Sequence, residues 1–305
     1  MWNCNKQQNS DIDLRKTIRY TVLTLAMIAL VVVGQVGVGC SSVRKGKPSV
    51  VVSIQPQHYL LEAIAGSKVD VVCLLDDESN PETYEPGMNM MMAIERSDAY
   101  FTMGTIGYEL AILTKVRSNN PNLPIINTSK GVNFIDGHDA DEGDVDPHVW
   151  VSVCNAKIIA ANMYAELVEL YPKWKKYFTK RYNALQAQLG QMDMEFAARL
   201  QSVPDSAFLV WHPTLSYFAR DYDLRQVSLD NGKEPTVGDL RARIDIARKS
   251  GAEVLFLQPQ IDSRQASELL KGLDVKKVTI NPMSKHLDEE LTKIVDALAP
   301  PVKQK

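Results

Sequence analysis

The 305-residue sequence lacks an excess of basic residues and any low-complexity tract. It carries 34 lysines and arginines against 37 aspartates and glutamates, which gives a formal net charge of −3. A nucleic-acid-binding surface is normally rich in positive charge, so the balance gives no support to such a partner. The hydrophobic fraction of 45% is that of an ordinary globular protein. A chain of this length is long for one hydrophobic core and sufficient for two.

Cysteine is also scarce, with four in the whole sequence. Cys4 and Cys40 lie in the N-terminal leader described next, so only Cys73 and Cys154 belong to the folded part. An oxidising compartment would permit a disulfide between these two. Cys73, however, lies within the strand-like run VDVVCLL and has the character of a small core residue. We therefore expect two free thiols.

The N-terminus is a charged and then apolar leader. Arg15, Lys16 and Arg19 precede the run YTVLTLAMIALVVVGQVGVGC, which ends at Cys40. This order is typical of a secretion signal, and Cys40 resembles the lipidated residue of a bacterial lipobox, although Gly37 stands where that pattern prefers leucine. The alternative is a single transmembrane anchor, because the run approaches spanning length.

We interpret residues 1–39 as a lipoprotein signal peptide, Cys40 as the lipidated residue and residues 40–48 as a flexible tether. Under either interpretation the folded part lies outside the cytoplasm and is held at a membrane. The expected location is the periplasm or the extracellular face.

From Pro48 onward, short apolar runs alternate with helical segments. Such runs between amphipathic helices predict parallel strands that are covered on both faces. The pattern stops and then restarts after Pro204, so we predict an N-terminal α/β lobe at 49–171 and a C-terminal α/β lobe at 204–305. The predicted strands are 49–54, 69–75, 99–104 and 124–129 in the first lobe, and 207–212, 224–230, 253–259 and 276–282 in the second.

One long helical segment, predicted at 172–203, joins the two lobes. Its apolar residues recur at intervals of three and four over many turns, which is the pattern of a helix with one buried face. Pro172 suits a first helical turn, and Pro204 lies beyond the end. A rigid helical connection predicts a two-lobed protein that opens and closes little.

Polar side chains lie at or beyond the carboxyl ends of four predicted strands, two in each lobe. They are Glu82, His148, His212 and Asn281. Ligands of doubly wound folds bind outside the carboxyl ends of the strands, so we expect these residues to face the cleft between the lobes. Two imidazoles and a carboxylate, completed by an amide or a water, form an acceptable shell for a divalent metal.

A lone histidine is more often a hydrogen-bonded surface residue than a ligand. The placement of both His148 and His212 after apolar runs favours the ligand interpretation for these two. His58, His138 and His286 lack that support. His58 opens a helix, and His138 lies in an acidic loop that we interpret as a solvated turn.

Five sequence blocks occur in an order that resembles a known family. They are NPETYEPGM, DPHVW, FLVWHPTLSYFARDYDLRQ, KEPTVGDL and EVLFLQPQIDSRQASELL. The chain resembles the metal-binding component of bacterial ABC importers, the zinc- and manganese-binding lipoprotein family. The resemblance extends from about Val50 to Ala299. It implies a lipid-anchored, monomeric solute-binding protein whose partner is a membrane permease.

The family pattern has ligands at four positions, which here fall on Glu82, His148, His212 and Asn281. Both histidines match the pattern. Glutamate stands at the first position in place of histidine, and asparagine stands at the last in place of aspartate. The resemblance assigns Glu85 to a structural turn.

The expected function is capture of a divalent transition metal and its delivery to the permease. Zinc is favoured because two nitrogen donors suit a borderline metal, and manganese is the second choice. The alternatives are a zinc-dependent hydrolase and an adhesin or scaffold that kept the fold without the metal. A hydrolase is disfavoured because the sequence has no HExxH helix and no obvious general base besides Glu82. We therefore expect a protein that is not an enzyme.

Overall fold

The computed structural model describes residues 46–137, 145–229, 237–259 and 273–301. Residues Lys47–Lys305 form one compact unit. The predicted signal peptide, Cys40 and His138 lie outside the described residues. Within the described ranges, no helix combines the length and the apolarity needed to cross a bilayer.

The first lobe is a parallel four-stranded sheet with helices around it. Its strands are β1 (Ser49–Val52), β2 (Asp70–Cys73), β3 (Tyr100–Thr102) and β4 (Ile125–Asn127). They lie in the order β2-β1-β3-β4. Its helices are α1 (Gln55–Ala65), α2 (Met88–Arg96), α3 (Gly107–Asn119) and α4 (Val153–Leu170). Each strand run predicted for this lobe is present, in a shorter form.

The connecting segment begins with a 3₁₀ turn at Pro172–Trp174 and continues as the helix α5 (Lys175–Leu200). The predicted apolar stripe is its buried face, which includes Phe178, Leu189 and Phe196. This face packs against α1 and α4 of the first lobe, and α5 also contacts the last helix of the second lobe. The helix is therefore packed along both lobes.

The second lobe repeats the topology of the first. Its strands are β5 (Ala207–Val210), β6 (Arg225–Ser228), β7 (Val254–Leu257) and β8 (Lys276–Thr279), in the order β6-β5-β7-β8. Its described helices are α6 (Ser216–Asp221), α7 (Val237–Lys249) and α8 (Leu287–Leu298). All pairings within the two sheets are parallel. The predicted fold class, two parallel α/β lobes joined by a long helix, is confirmed.

The main hydrophobic core is continuous between the lobes. One cluster of buried side chains includes Val51 of β1, Leu189 of α5 and Phe208 of β5. Successive residues of a strand point to opposite faces, so Leu209 packs in a separate, smaller cluster with Leu255. The cluster that crosses between the lobes limits the freedom of each lobe to move alone.

Hydrogen bonds also join the lobes on one flank of the cleft. The Tyr217 hydroxyl of α6 donates to the carbonyl of Asp146 at 2.8 Å and accepts from the amide of Ile135 at 3.2 Å. Arg220 of the same helix donates to the carbonyl of Asn133 at 2.7 Å.

Further contacts lie on the C-terminal flank. Lys285 is 2.7 Å from Glu62, and the Tyr59 hydroxyl donates to Asp288 at 3.2 Å. Contacts on two flanks, together with the shared core, favour a cleft whose width changes little.

Candidate metal centre

Glu82 lies in the irregular connection between β2 and α2, residues 74–87, which consists of turns and bends. Side chains of the loop itself determine its shape. Asp76 Oδ1 accepts the amide of Ser79 at 2.8 Å, and Asn80 Oδ1 accepts the amide of Glu82 at 2.9 Å. Short polar side chains of this kind replace regular secondary structure in tight turns. They position the Glu82 side chain, which is 33% exposed, at the cleft.

His148 lies between β4 and α4 and is held by a neighbouring carboxylate. Asp146 Oδ1 accepts the backbone amide of His148 at 2.9 Å and lies 3.0 Å from its ring Nδ1. A hydrogen on Nδ1 satisfies this contact, so Nε2 is the ring nitrogen that faces the cleft and is free to coordinate a metal once it has lost its proton. Carboxylate–histidine pairs of this type orient histidine ligands in metal sites.

His212 comes from the other lobe, two residues beyond β5. The strand is fully buried, and the chain turns directly after it, where the amide of Thr214 donates to the carbonyl of His212 at 2.8 Å. The two imidazole rings meet edge to face, with centroids 5.3 Å apart and planes at 74°.

The three side chains converge on one point. Glu82 Oε1 lies 3.0 Å from His212 Nε2 and 3.3 Å from His148 Nε2. One ligand atom from each residue lies within 4.8 Å of the others. Ligands about 2.0–2.1 Å from a tetrahedral zinc lie roughly 3.3 Å from one another, so the donors need little movement to surround an ion.

The charges of the cluster favour an ionised Glu82. Burial opposes ionisation, but hydrogen bonds with His148 and His212 outweigh it and hold the pKa of Glu82 well below its usual range. For His148, burial acts to lower the pKa, while the contacts with Asp146 and Glu82 prevail and raise it. The carboxylate oxygen is thus available as an anionic donor at neutral pH.

Asn281 lies two residues beyond β8, at the strand end where the sequence placed it. Its side-chain amide Nδ2 donates to the carbonyl of Asp77 at 2.9 Å, and its Oδ1 accepts the amide of Met283 at 3.0 Å. The pocket around the three donors is lined by its neighbours Pro282 and Met283. The structure therefore brings Glu82, His148 and His212 together and directs the Asn281 amide to the loop that carries Glu82.

Residues 50–299 match the family described as zinc-uptake complex component A, periplasmic, or ZnuA. The chain belongs to this family. It is 25% identical over 277 residues to the zinc-binding lipoprotein AdcA of Streptococcus pneumoniae (strain ATCC BAA-255 / R6), covering 84% of this chain and 54% of AdcA. It is 24% identical over 270 residues to the high-affinity zinc uptake system protein ZnuA of Bacillus subtilis (strain 168), covering 84% of each.

The chain thus spans about half the length of the AdcA relatives and most of the Bacillus protein. Among solved structures, a ZnuA deletion mutant with zinc bound superimposes with a TM-score of 0.76 and 29% identity. That match covers 84% of this chain and 100% of the other. The resemblance of the ordered sequence blocks to a metal-binding importer component is confirmed.

In this member of the ZnuA family, several pocket residues were missed by sequence reasoning. The ring of Trp150 packs beside the His148 ring, with their centroids 5.3 Å apart, and its Nε1 donates to the carbonyl of Pro282 at 2.9 Å. Gln258 follows β7 and donates to Thr214 Oγ1 at 2.6 Å. The sequence did contain a hint for Gln258, because it lies near the carboxyl end of a predicted strand, as His212 and Asn281 do.

The remaining described histidines lie away from the cluster. His58 Nε2 is 3.1 Å from the carbonyl of Val71, and its Nδ1 is 3.7 Å from Glu62. The His286 side chain is 67% exposed, at the start of α8. Cys73 and Cys154, the cysteines within the described ranges, are both free thiols.

Proposed function

We propose that this protein is the extracytoplasmic solute-binding component of an ABC importer. It captures a divalent transition metal in the cleft and delivers it to a membrane permease. The observation that carries the proposal is the convergence of Glu82 Oε1 with the Nε2 atoms of His148 and His212, at 3.0 and 3.3 Å. Because His212 belongs to the second lobe, a bound ion would join both halves of the molecule.

Zinc is the proposed metal, and manganese the second choice. Two imidazole nitrogens and one carboxylate suit a borderline ion better than a hard one. The names of the relatives AdcA and ZnuA describe zinc binding and zinc uptake, which supports the same choice. In this proposal Glu82, His148 and His212 are the protein ligands, and Asn281 Oδ1 or a water occupies the fourth position.

We propose a binding protein in preference to an enzyme. A zinc hydrolase needs a general base beside the metal-bound water. Glu82 already contacts both imidazoles, and Asp146 Oδ1 is held by the ring and the amide of His148. Both carboxylates are therefore used to build the donor set.

The direct test is zinc binding by the purified chain without its leader, measured by competition with a chromogenic chelator. His148→Ala and His212→Ala each remove one nitrogen donor. Each is expected to weaken binding at least about tenfold, or 1.4 kcal/mol. His286→Ala, which removes an exposed histidine outside the cluster, is the matched control and leaves affinity unchanged. Parent-like zinc binding by both cleft variants would show that the metal site lies elsewhere.

The proposal includes a lipid anchor at Cys40, a monomeric state and a permease partner. The basis for the anchor is the charged and apolar leader that ends at this cysteine. Mass spectrometry of the membrane-bound protein is expected to find lipid-modified Cys40 as the first residue, and Cys40→Ala is expected to abolish the lipid modification. An unmodified Met1, or cleavage well away from residue 40, would contradict the anchor.

A further inference from the structure

The loop that carries Glu82 needs support from outside itself. Residues 74–87 contain turns and bends between β2 and α2. The hydrogen bonds of Asp76 and Asn80 shape the loop locally. They do not fix its distance from His212, which belongs to the other lobe.

Asn281 supplies a direct bond between the second lobe and this loop. Its Nδ2 donates to the carbonyl of Asp77 at 2.9 Å, five residues before Glu82. The same lobe thereby holds both His212 and the backbone of the loop that presents Glu82 to it.

The Asn281 amide group is itself firmly placed. Its backbone amide donates to Glu290 Oε2 at 2.9 Å, and its side-chain Oδ1 accepts from Met283 at 3.0 Å. Glu290 is 8% exposed and pairs with Lys293 at 2.6 Å. Because these contacts already restrict the Asn281 side chain, its hydrogen bond to Asp77 costs little additional conformational entropy.

We propose that Asn281 acts as a latch between the lobes, positioning Glu82 for metal capture through its hydrogen bond to the Asp77 carbonyl. The inference deepens the proposed function and rests on it. An asparagine can perform this role because its amide has two hydrogen-bond donors, whereas a carboxylate has none at neutral pH. Asn281 is thus a positioning residue, and the shell is completed by water.

Asn281→Asp distinguishes a latch from a ligand because the two roles predict changes of zinc affinity in opposite directions. A ligand at this position would gain a negative charge and bind zinc more tightly. A latch would lose its donor and set a carboxylate against the carbonyl of Asp77, so the loop would loosen and zinc binding would weaken.

The experiment combines two measurements on the parent chain, Asn281→Asp, Asn281→Ala and Tyr59→Phe. The first is backbone hydrogen exchange of residues 76–85 in the metal-free protein, and the second is zinc affinity. Tyr59→Phe is the matched control because it removes a bond between the lobes, to Asp288, that lies outside the Glu82 loop. Both Asn281 variants are expected to speed loop exchange and weaken zinc binding about three- to tenfold, as loss of one hydrogen bond predicts.

Tyr59→Phe is expected to leave loop exchange and zinc affinity within about twofold of the parent. Tighter zinc binding by Asn281→Asp with unchanged loop exchange would overturn the latch and make residue 281 a ligand. If Tyr59→Phe loses as much zinc affinity as the Asn281 variants, the latch is overturned, because any lost contact between the lobes would then weaken zinc binding. Failure of the parent to bind zinc would refute the proposed function and with it the role in metal capture, while the metal-free exchange data would still report whether Asn281 holds the loop.

Discussion

At the residue scale, the geometry of the Glu82–His148–His212 cluster depends on side chains that lie outside it. Asp146 is fully buried, and it contacts His148 through both the ring and the backbone amide. Burial opposes ionisation of Asp146, but its bonds with His148 prevail and lower its pKa. A charged Asp146 fixes the His148 tautomer and makes Nε2 a better donor.

Asp146→Asn is therefore expected to weaken zinc binding by about ten- to a hundredfold, because the ring loses its anionic partner. Zinc competition and thermal unfolding of the same samples separate a loss of affinity from a loss of folding. Asp136→Asn, at an exposed carboxylate ten residues earlier, is the matched control and should behave like the parent. Unchanged affinity in Asp146→Asn would show that the carboxylate has no part in orienting the ligand.

The sequence predicted the residue types of the cluster better than their contacts. Glu82, His148 and His212 were placed at the cleft because each lies at or beyond the carboxyl end of a predicted strand, and the structure brings them together. The direction of the Asn281 amide was not predictable, since it depends on where the loop of the other lobe lies. Asp146 was passed over as one of several acidic residues in its loop. Its role becomes visible only when its 3.0 Å contact with the imidazole is known.

At the scale of elements, the apolar runs predicted all eight strands that the described residues form. The inner strands β1, β3, β5 and β7 are buried, as expected for parallel strands covered on both faces, whereas the edge strands β2, β6 and β8 are partly exposed. The observed strands are shorter than the runs. β1, for example, ends at Val52, and the chain then turns into α1, although Ile54 remains fully buried. Hydrophobicity therefore predicts burial beyond the end of the hydrogen-bonded ladder. The connecting helix was likewise predicted, but its 3₁₀ first turn at Pro172–Trp174 was not.

The first lobe contains a buried carboxylate, at the start of α3, that has no role in the Glu82–His148–His212 cluster. Glu109, in the first turn of α3, is fully buried, and its two oxygens accept the amides of Met103 and Gly104, each at 2.7 Å. These bonds attach α3 to the end of β3. Burial outweighs them and raises the pKa of Glu109 to about 7.

This shift predicts that stability falls as pH rises. The ordinary pKa of glutamate in an unfolded chain is about 4.3, so between that value and about 7 the folded state binds more protons than the unfolded state. The stabilising contribution is present below the unfolded pKa and is lost as pH rises through the folded pKa. When the pH rises from 5 to 8, the unfolding free energy of the parent is expected to fall by roughly 2–3 kcal/mol more than that of Glu109→Gln, because glutamine does not titrate.

Urea unfolding at the two pH values measures this difference. Glu253→Gln, at an exposed glutamate, is the control and should follow the parent at both pH values. A pH dependence that is identical in the parent and Glu109→Gln would mean that Glu109 does not titrate in this range.

At the scale of the whole molecule, the long helix predicted from sequence is one of several connections between the lobes. The shared core, the Tyr217 contacts and the Lys285–Glu62 pair add to it. These contacts join residues far apart in the chain, so local sequence patterns could not predict them. Together they form a cleft whose donor atoms are already close before an ion binds, which lowers the cost of reorganisation on capture.

Zinc is therefore expected to stabilise the protein strongly while changing its shape little. An ion that binds only the folded state adds about 2.7 kcal/mol to the unfolding free energy when its concentration is a hundredfold above the dissociation constant. Urea unfolding with and without zinc measures this gain, and small-angle scattering of the same samples measures the shape. His212→Ala, which removes the only donor that the second lobe contributes to the described cluster, should lose at least about half of the gain. A large contraction on zinc binding would contradict the prediction, because the 3.0 Å contact between Glu82 and His212 already holds the donors of the two lobes at ligand spacing.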